Sequence, residues 1–211
     1  MPAKTVLFDV DARTCILQGA DMLANAVRVT LGPRGRNVLL DQPGGYPRVT
    51  KDGASVAEVI TLSDPFQNMG AQILKEAAAR ANSVAGDGTT TAIVLAQVVA
   101  HGGMRAVAAG ANPIDVWRGI DLAARAAIAA IQAAARPIRG SEEVAQIGTI
   151  AANGEVAIGR QIADAMERTG PHGAIVVEAN EQSTTVTELV EGMQIPNGFL
   201  SPYFITDAEK M

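Results

Sequence analysis

A hexapeptide of glycine, aspartate and threonine, Gly86-Asp87-Gly88-Thr89-Thr90-Thr91, carries the sharpest chemical signal in the sequence. It lies between two segments with helical periodicity, so its backbone N–H groups and the N-terminus of the following helix can face one point, as in phosphate-binding loops. The aspartate is a hard oxygen ligand that suits Mg²⁺, and the three hydroxyls can donate to phosphate oxygens. An ordinary helix–loop–helix with a capping Asp or Thr gives the same local pattern, so both interpretations stay open on the hexapeptide alone.

The loop differs from two common nucleotide motifs. A Walker A loop has the order G-x-x-x-x-G-K-[ST], and its lysine is missing here. A dinucleotide-binding loop has a third glycine where Thr91 stands, and it follows a strand. Two further turns, Thr30-Leu31-Gly32-Pro33 and Lys51-Asp52-Gly53, have similar chemistry, although each alone is more often a simple turn. Together, three glycine turns bearing Thr, Lys and Asp could converge on one nucleotide.

Helical periodicity and turn residues predict the elements that hold these loops. A helix capped by Asp11 must end at the turn Thr30-Leu31-Gly32-Pro33, because glycine is a favoured terminator and proline cannot continue the helix. Asp64-Pro65 starts a long helix, which the glycines of the hexapeptide interrupt before a further helix covers residues 89–109. The other predicted elements are strands at 4–8, 37–40, 48–50, 174–178 and 184–190, a helix after Asn112-Pro113, a short helix from Ser141 and a helix over 155–168.

Composition describes an acidic chain with enough apolar material for one or two globular cores. Of 211 residues 48% are hydrophobic, and the net charge is -5 without a basic cluster, so nucleic acid is not an expected partner. The apolar run around Ile128 is shorter than the roughly 20 residues of a bilayer span, and the first residues lack the apolar region of a secretory signal. Cys15 is the single cysteine, and the two histidines have no zinc-ligand spacing. We therefore expect a soluble cytoplasmic protein that binds neither nucleic acid nor membrane.

Aromatic residues are scarce and unevenly placed. They make up 3% of the chain, and Phe199, Tyr203 and Phe204 lie close together near its last residue. This concentration suggests a separate role for the segment, although the three side chains could also pack in a local core. No partner element follows the apolar residues 200–205, which favours a fragment over a complete protein.

Motifs along the whole chain resemble the GroEL-type (group I) chaperonins, in family order. They lie at residues 30–38, 50–53, 68–72, 85–91, 108–113, 118–121, 191–193 and 198–204. This resemblance favours the phosphate-loop interpretation of the hexapeptide over the ordinary helix–loop–helix. It implies a multidomain fold: a mainly α equatorial ATP-binding domain with a β-hairpin (1–136), an α+β intermediate hinge segment (137–190) and the start of an α/β apical substrate-binding domain (191–211).

The resemblance also implies ATP, Mg²⁺ and K⁺ as cofactors and a set of residues that hold them. The implied cofactor-binding residues are Thr30, Leu31, Gly32, Pro33, Lys51, Asp87, Gly88, Thr89, Thr90 and Thr91. The implied metal ligands are Asp87 for Mg²⁺ and Thr30, Lys51 and Thr90 for K⁺. Asp52 matches a catalytic carboxylate close to the γ-phosphate, which agrees with the need of phosphoryl transfer for positioning and charge neutralisation.

The implied function is that of an ATP-dependent chaperonin, which captures unfolded polypeptides and promotes their folding inside a homo-oligomeric ring closed by a co-chaperonin lid. Phe199, Tyr203 and Phe204 match the start of the apolar patch that binds unfolded chains and the lid. The family's water-activating aspartate and part of its nucleotide pocket lie on returning segments outside these residues, so we expect no ATP hydrolysis by this chain alone. Pro196-Asn197 stands where bacterial members often carry a charged pair, which puts salt bridging at the apical hinge in doubt.

Two other classes of function compete with this one. A stand-alone, ATP-independent polypeptide-binding fragment would use only the aromatic segment. An unrelated phosphotransferase would use the glycine-rich loop, but no catalytic base or acceptor site surrounds that loop in the sequence.

Overall fold

The computed structural model describes residues 5–42, 44–170, 172–178, 184–190, 192 and 201–207, and this part of the chain is mainly helical. The described helices are α1 (Asp9–Arg28), α2 (Gly53–Val59), α3 (Pro65–Ala85), α4 (Thr89–Ala108), α5 (Pro113–Ala134), α6 (Gly140–Ala151) and α7 (Val156–Thr169), followed by a 3₁₀ turn, Pro202–Phe204. The described strands are β1 (Val38–Leu40) and β2 (Arg48–Thr50). The predicted mainly α fold with a β-hairpin is confirmed.

The chain divides into two compact units, Met1–Pro137 and Ile138–Met211. The predicted domain boundaries, after residues 136 and 190, stay predictions. The assignment of the parts to equatorial, intermediate and apical domains stays a prediction.

Two long helices begin where side-chain capping predicts. Asp64 accepts a hydrogen bond from the Gln67 backbone N–H at 2.8 Å, and Pro65 follows at the first helical position of α3. Asn112 accepts one from the Ile114 N–H at 2.9 Å and starts α5 in the same way. These caps satisfy amides that have no partner within the helix, and proline lacks one of those amides altogether.

Helix α1 starts earlier than predicted. Its N-cap is Phe8, in an extended conformation and without a side-chain cap, instead of Asp11. Asp9 and Asp11 both lie in the first turn, where carboxylates interact favourably with the positive end of the helix dipole. A charge in the first turn thus replaces a capping hydrogen bond.

The core of the first unit lies among α1, α3 and α4, with α2 and β1 packed against them. Its largest fully buried side chains are Leu23, Val27, Val56 and Ile93. At the contact of α1 with α3 the two backbones meet directly. A Cβ on Gly19 would overlap the Gln67 carbonyl, and a Cβ on Gly70 would overlap the Ile16 carbonyl. Only glycine at these two positions allows this approach.

A polar cluster joins α1 to α4 beside that core. One oxygen of Asp21 lies 2.6 Å from Nε2 of Gln97 and 2.7 Å from Nε2 of His101. Burial raises the pKa of Asp21, but hydrogen bonds from Gln97 and His101 and the attraction of His101 outweigh it, so the pKa lies below its ordinary value.

The hairpin is antiparallel, with Val38 opposite Thr50 and Leu40 opposite Arg48. Leu40 is buried in the core, so the end of β1 is anchored to the helices. Tyr46, in the connecting loop, is 93% exposed. Val38, at the start of β1, also packs against the core, so β1 is anchored at both ends while Tyr46 faces solvent.

Apart from Ile93 of α4, no apolar residue of α4 or α5 is fully buried within the described residues. No residue of α5 is buried, and Trp117 and Ile131 are exposed. By length and composition alone, α4 is also apolar enough to cross a membrane, a test that core helices of soluble proteins pass as well. The expected absence of a membrane partner rests on the shorter apolar run in α5, and it stays a prediction.

In the second unit, α6 and α7 cross closely, since a Cβ on Gly148 would stand 3.1 Å from the Cα of Gly159. The predicted strands at 174–178 and 184–190 are wrong: both segments border a cavity of about 450 Å³ beside α7 without strand pairing. Residues 5–8 likewise form no strand, and Lys4 lies outside the described residues. β-branched residues favour extended backbone, but a strand also needs a hydrogen-bonded neighbour.

Candidate nucleotide site

Three turns that are far apart in sequence meet at Gly53, the first residue of α2. Gly53 is buried, and a Cβ there would overlap the Thr90 hydroxyl in the first turn of α4. The same Cβ would stand 2.9 Å from the hydroxyl oxygen of Thr30, which follows α1. The structure therefore brings Thr30 and Thr90 together, with Lys51 and Asp52 directly before the junction.

The turn after α1 is held by its own hydrogen bonds. Thr30 is buried, and its hydroxyl donates to the Val27 carbonyl at 2.8 Å. The Gly35 N–H donates to the Gly32 carbonyl at 2.9 Å, which closes a tight turn with Gly32 at a φ of 75°. Leu31, Gly32 and Pro33 are exposed on the outside of this turn.

Asp52 is the N-cap of α2. Its carboxylate accepts hydrogen bonds from the N–H groups of Ala54 at 3.2 Å and Ser55 at 2.9 Å, and from the Ser55 hydroxyl at 2.6 Å. Burial raises the pKa of Asp52, but these hydrogen bonds and the charge of Arg48 together lower it by more, so the pKa lies below its ordinary value. The side chain is therefore an oriented carboxylate that is ionised at neutral pH.

The loop before α4 leaves its polar groups available. Gly86 and Gly88 have φ values of 68° and 80°, in the left-handed region that favours glycine, and Asp87 between them is exposed. Asp87 accepts a hydrogen bond from the Gly88 N–H at 2.6 Å. No side chain of the described residues caps α4, so its first-turn amides, including that of Thr89, have no side-chain partner there.

These residues fit a phosphate group with a bound cation. A Cβ placed on Gly32, Gly86 or Gly88 would meet no atom within 4 Å, so the backbone of both loops is open to a ligand. Uncapped amides at a helix N-terminus attract an anion, and the carboxylate of Asp87 supplies a hard ligand for Mg²⁺. Among the described residues no three His, Cys, Asp or Glu side chains form a metal-binding group, so such a cation would need phosphate or water oxygens as well.

The predicted polypeptide-binding residues belong to the second unit. Tyr203 is 97% exposed and Phe204 is 69% exposed, both in the 3₁₀ turn. Phe199 lies outside the described residues. The two described side chains are therefore not packed in a core of the described part of the chain.

Sequence reasoning took Gly53 only as part of a turn and missed Ser55 altogether. Ser55 gives Asp52 two of its three hydrogen bonds, and the available signal was the Asp52-x-x-Ser55 spacing, in which an N-cap carboxylate meets the amide three residues on.

The class of this protein follows from its match to a family model. Residues 23–211 match the TCP-1/cpn60 chaperonin family, and the chain belongs to this family.

Solved structures of chaperonins share the fold. A group III chaperonin in the open state is 24% identical, with a TM-score of 0.62 over 75% of this chain and 32% of that chain. The chaperonin gp146 from the bacteriophage EL 2 (Pseudomonas aeruginosa), in the presence of ATP-BeFx, is 23% identical, with a TM-score of 0.63 over 74% of this chain and 27% of that chain. The chain thus spans about a third or less of the length of these chaperonins.

Proposed function

We propose that this chain is the first part of a group I chaperonin subunit, which uses ATP hydrolysis to capture unfolded polypeptides and to promote their folding in a homo-oligomeric ring. Membership of the chaperonin family supports a protein-folding ATPase. The group I motifs along the chain support the subclass. The remainder of the subunit would supply the rest of the nucleotide pocket.

The junction at Gly53 carries this proposal. It places the turn after α1, the start of α2 and the first turn of α4 around one point. The resemblance assigns Thr30, Asp52 and Thr90 to one nucleotide site. Thr30 and Thr90 both contact the junction at Gly53, and Asp52 directly precedes Gly53 in the chain. Two loops with open glycine backbone and the uncapped N-terminus of α4 suit a triphosphate.

Each loop would have its own part in holding Mg-ATP. Thr30 and the exposed residues after it would bind along the nucleotide, while the amides and hydroxyls of residues 88–91 would donate to phosphate oxygens. Asp87 would hold Mg²⁺ together with those oxygens. Backbone oxygens of Thr30 and Lys51, with the Thr90 hydroxyl, would hold K⁺.

Asp52 would act in hydrolysis. Its carboxylate is ionised and fixed by three hydrogen bonds, so it could orient water or cation near the terminal phosphate without reorganising during the reaction. The exposed Tyr203 and Phe204 would contribute to a surface for unfolded chains and for the co-chaperonin lid. We also propose a cytoplasmic location and a role in protein refolding, an activity grouped with the isomerases.

The test compares nucleotide binding and turnover in this chain and in a full-length subunit. We expect hydrolysis only in the full-length subunit. There, Asp87→Ala should abolish Mg-ATP binding or hydrolysis, and Asp52→Ala should slow turnover at least about tenfold while ATP affinity is kept, as for a group that acts in the transition state.

Two matched variants control for charge and for helix capping. Asp115→Ala removes an exposed carboxylate from the first turn of α5, and Asp64→Ala removes the N-cap of α3. Both should leave turnover close to that of the wild type. Normal hydrolysis by the Asp87→Ala subunit would refute the proposed site.

A further inference from the structure

Helix α2 has only seven residues and is held at both of its ends. Its N-terminal end is fixed at the Gly53 junction. At the other end, the ammonium group of Lys75, on α3, donates to the backbone carbonyls of Glu58 at 3.0 Å and Ile60 at 2.5 Å. A side chain of another helix therefore binds the carbonyls at the C-terminal end of α2.

These two hydrogen bonds replace what α2 cannot provide for itself. The last carbonyls of a helix have no partner within it, and a helix of seven residues is far below the length that is stable alone. Asn68, two turns before Lys75 on α3, accepts a hydrogen bond from the Leu62 N–H at 3.1 Å. Two side chains of α3 thus fix the backbone that leaves α2.

The state of α2 determines the geometry of Asp52. Two of the three hydrogen bonds to its carboxylate come from the N–H groups of Ala54 and Ser55, in the first turn of α2. If the short helix unwinds from its C-terminal end, these amides lose their fixed direction. The carboxylate then loses the two hydrogen bonds that hold its orientation.

We propose that Lys75 is a positioning residue for Asp52, which acts by capping α2 from α3 without touching the nucleotide. This inference rests on the proposed function, because Asp52 has a catalytic role only if the site hydrolyses ATP. In this proposal α3 controls the orientation of the catalytic carboxylate, although it contributes no predicted ligand.

The first experiment is a double-mutant cycle on ATP hydrolysis by the full-length subunit. Lys75→Met keeps the aliphatic stem and removes both hydrogen bonds. We expect the turnover number to fall about fivefold with little change in KM, the order expected for the loss of charge-assisted hydrogen bonds that support a reacting group. Lys75→Arg should recover most of the activity.

In the Asp52→Ala background, Lys75→Met should cause no further loss, because its effect passes through the carboxylate. Arg80→Met is the matched control, since Arg80 is an exposed cation on the same helix that pairs with Glu76 one turn before it. An equal loss in both backgrounds, or full activity of Lys75→Met, would overturn the proposal.

The second experiment separates this inference from the proposed function. Hydrogen–deuterium exchange at the Ala54 and Ser55 amides of the full-length subunit needs no ATP hydrolysis. We expect Lys75→Met to speed exchange at these two amides, because the C-terminal end of α2 loses its cap, and Arg80→Met to leave the exchange unchanged. Unchanged exchange in Lys75→Met would overturn the inference, whereas absence of ATPase activity in the wild-type subunit would overturn only the proposed function.

Discussion

Gly53→Ala is the substitution that tests the junction of the three turns most directly. Gly53 begins α2 with ordinary helical backbone, so alanine is acceptable there for the backbone itself. The added methyl group would overlap the Thr90 hydroxyl and would stand 2.9 Å from the Thr30 hydroxyl and 3.1 Å from a Val27 methyl group. Thr30 cannot turn away without loss, since its buried hydroxyl is bonded to a carbonyl of α1.

Two opposing terms determine the size of the effect. Inserting a methyl group into a packed site costs about 1 to 3 kcal/mol. Replacing glycine by alanine in a helix returns about 0.5 to 1 kcal/mol. Because the overlap with the Thr90 hydroxyl is severe, the cost should lie in the upper half of its range, and we expect the free energy of unfolding to fall by about 1 to 2.5 kcal/mol.

Urea denaturation followed by circular dichroism measures this difference. The matched control is Gly102→Ala, in the middle of α4, where an added Cβ would meet no atom within 4 Å. This control should gain about 0.5 to 1 kcal/mol from helix propensity alone. The reasoning is refuted if Gly53→Ala is as stable as the wild type, or if both variants gain stability.

Three further predictions concern charge, clients and assembly. The pKa of Asp52 is lowered in the folded protein, so this carboxylate stabilises the fold at pH values above its ordinary pKa. That contribution is lost as the pH falls through the pKa of the folded state. Asp52→Asn should therefore flatten the dependence of the unfolding free energy on pH between pH values of about 5 and 2. Replacing both Tyr203 and Phe204 by Ser should weaken binding of an unfolded polypeptide to the full-length subunit and leave ATP affinity unchanged, and equal binding would count against the aromatic patch. Removing Pro43 to Tyr46 should reduce ring assembly, seen by analytical ultracentrifugation, more than it reduces subunit stability, and an intact ring would contradict this.

The parts of the fold that the sequence predicted well depend on local chemistry. Asp64-Pro65 and Asn112-Pro113 each combine a capping side chain with a proline that fits the first turn of a helix. A few neighbouring residues are therefore enough to predict where each helix starts. Gly86 and Gly88 end one helix and start the next because both need a positive φ. No distant contact is required for either prediction.

The errors have physical causes of the opposite kind. Helix α2 has seven residues, which is too short to show a helical period, so the sequence predicts only a turn at Gly53. The segments 174–178 and 184–190 have strand composition, but strand formation depends on a neighbour that composition does not specify.

The candidate site was predictable loop by loop and not as a whole. Each turn could be recognised from its glycine and its polar residues. Their meeting at Gly53 depends on how α1, α2 and α4 pack, and the contact of Lys75 with the end of α2 spans fifteen or more residues. The spacing of the three turns in the sequence leaves open whether they meet. Only the resemblance to chaperonins predicts that all three belong to one nucleotide site.

The crossing of α1 and α3 has a mechanical consequence. Because Gly19 and Gly70 bring backbone against backbone, neither helix can slide or rotate against the other without a main-chain collision. The pair therefore forms a stiff frame, to which both the turn after α1 and the side chain of Lys75 are attached. Because the ammonium group of Lys75 also binds the C-terminal end of α2, the short helix that Asp52 caps is tied to this frame at that end.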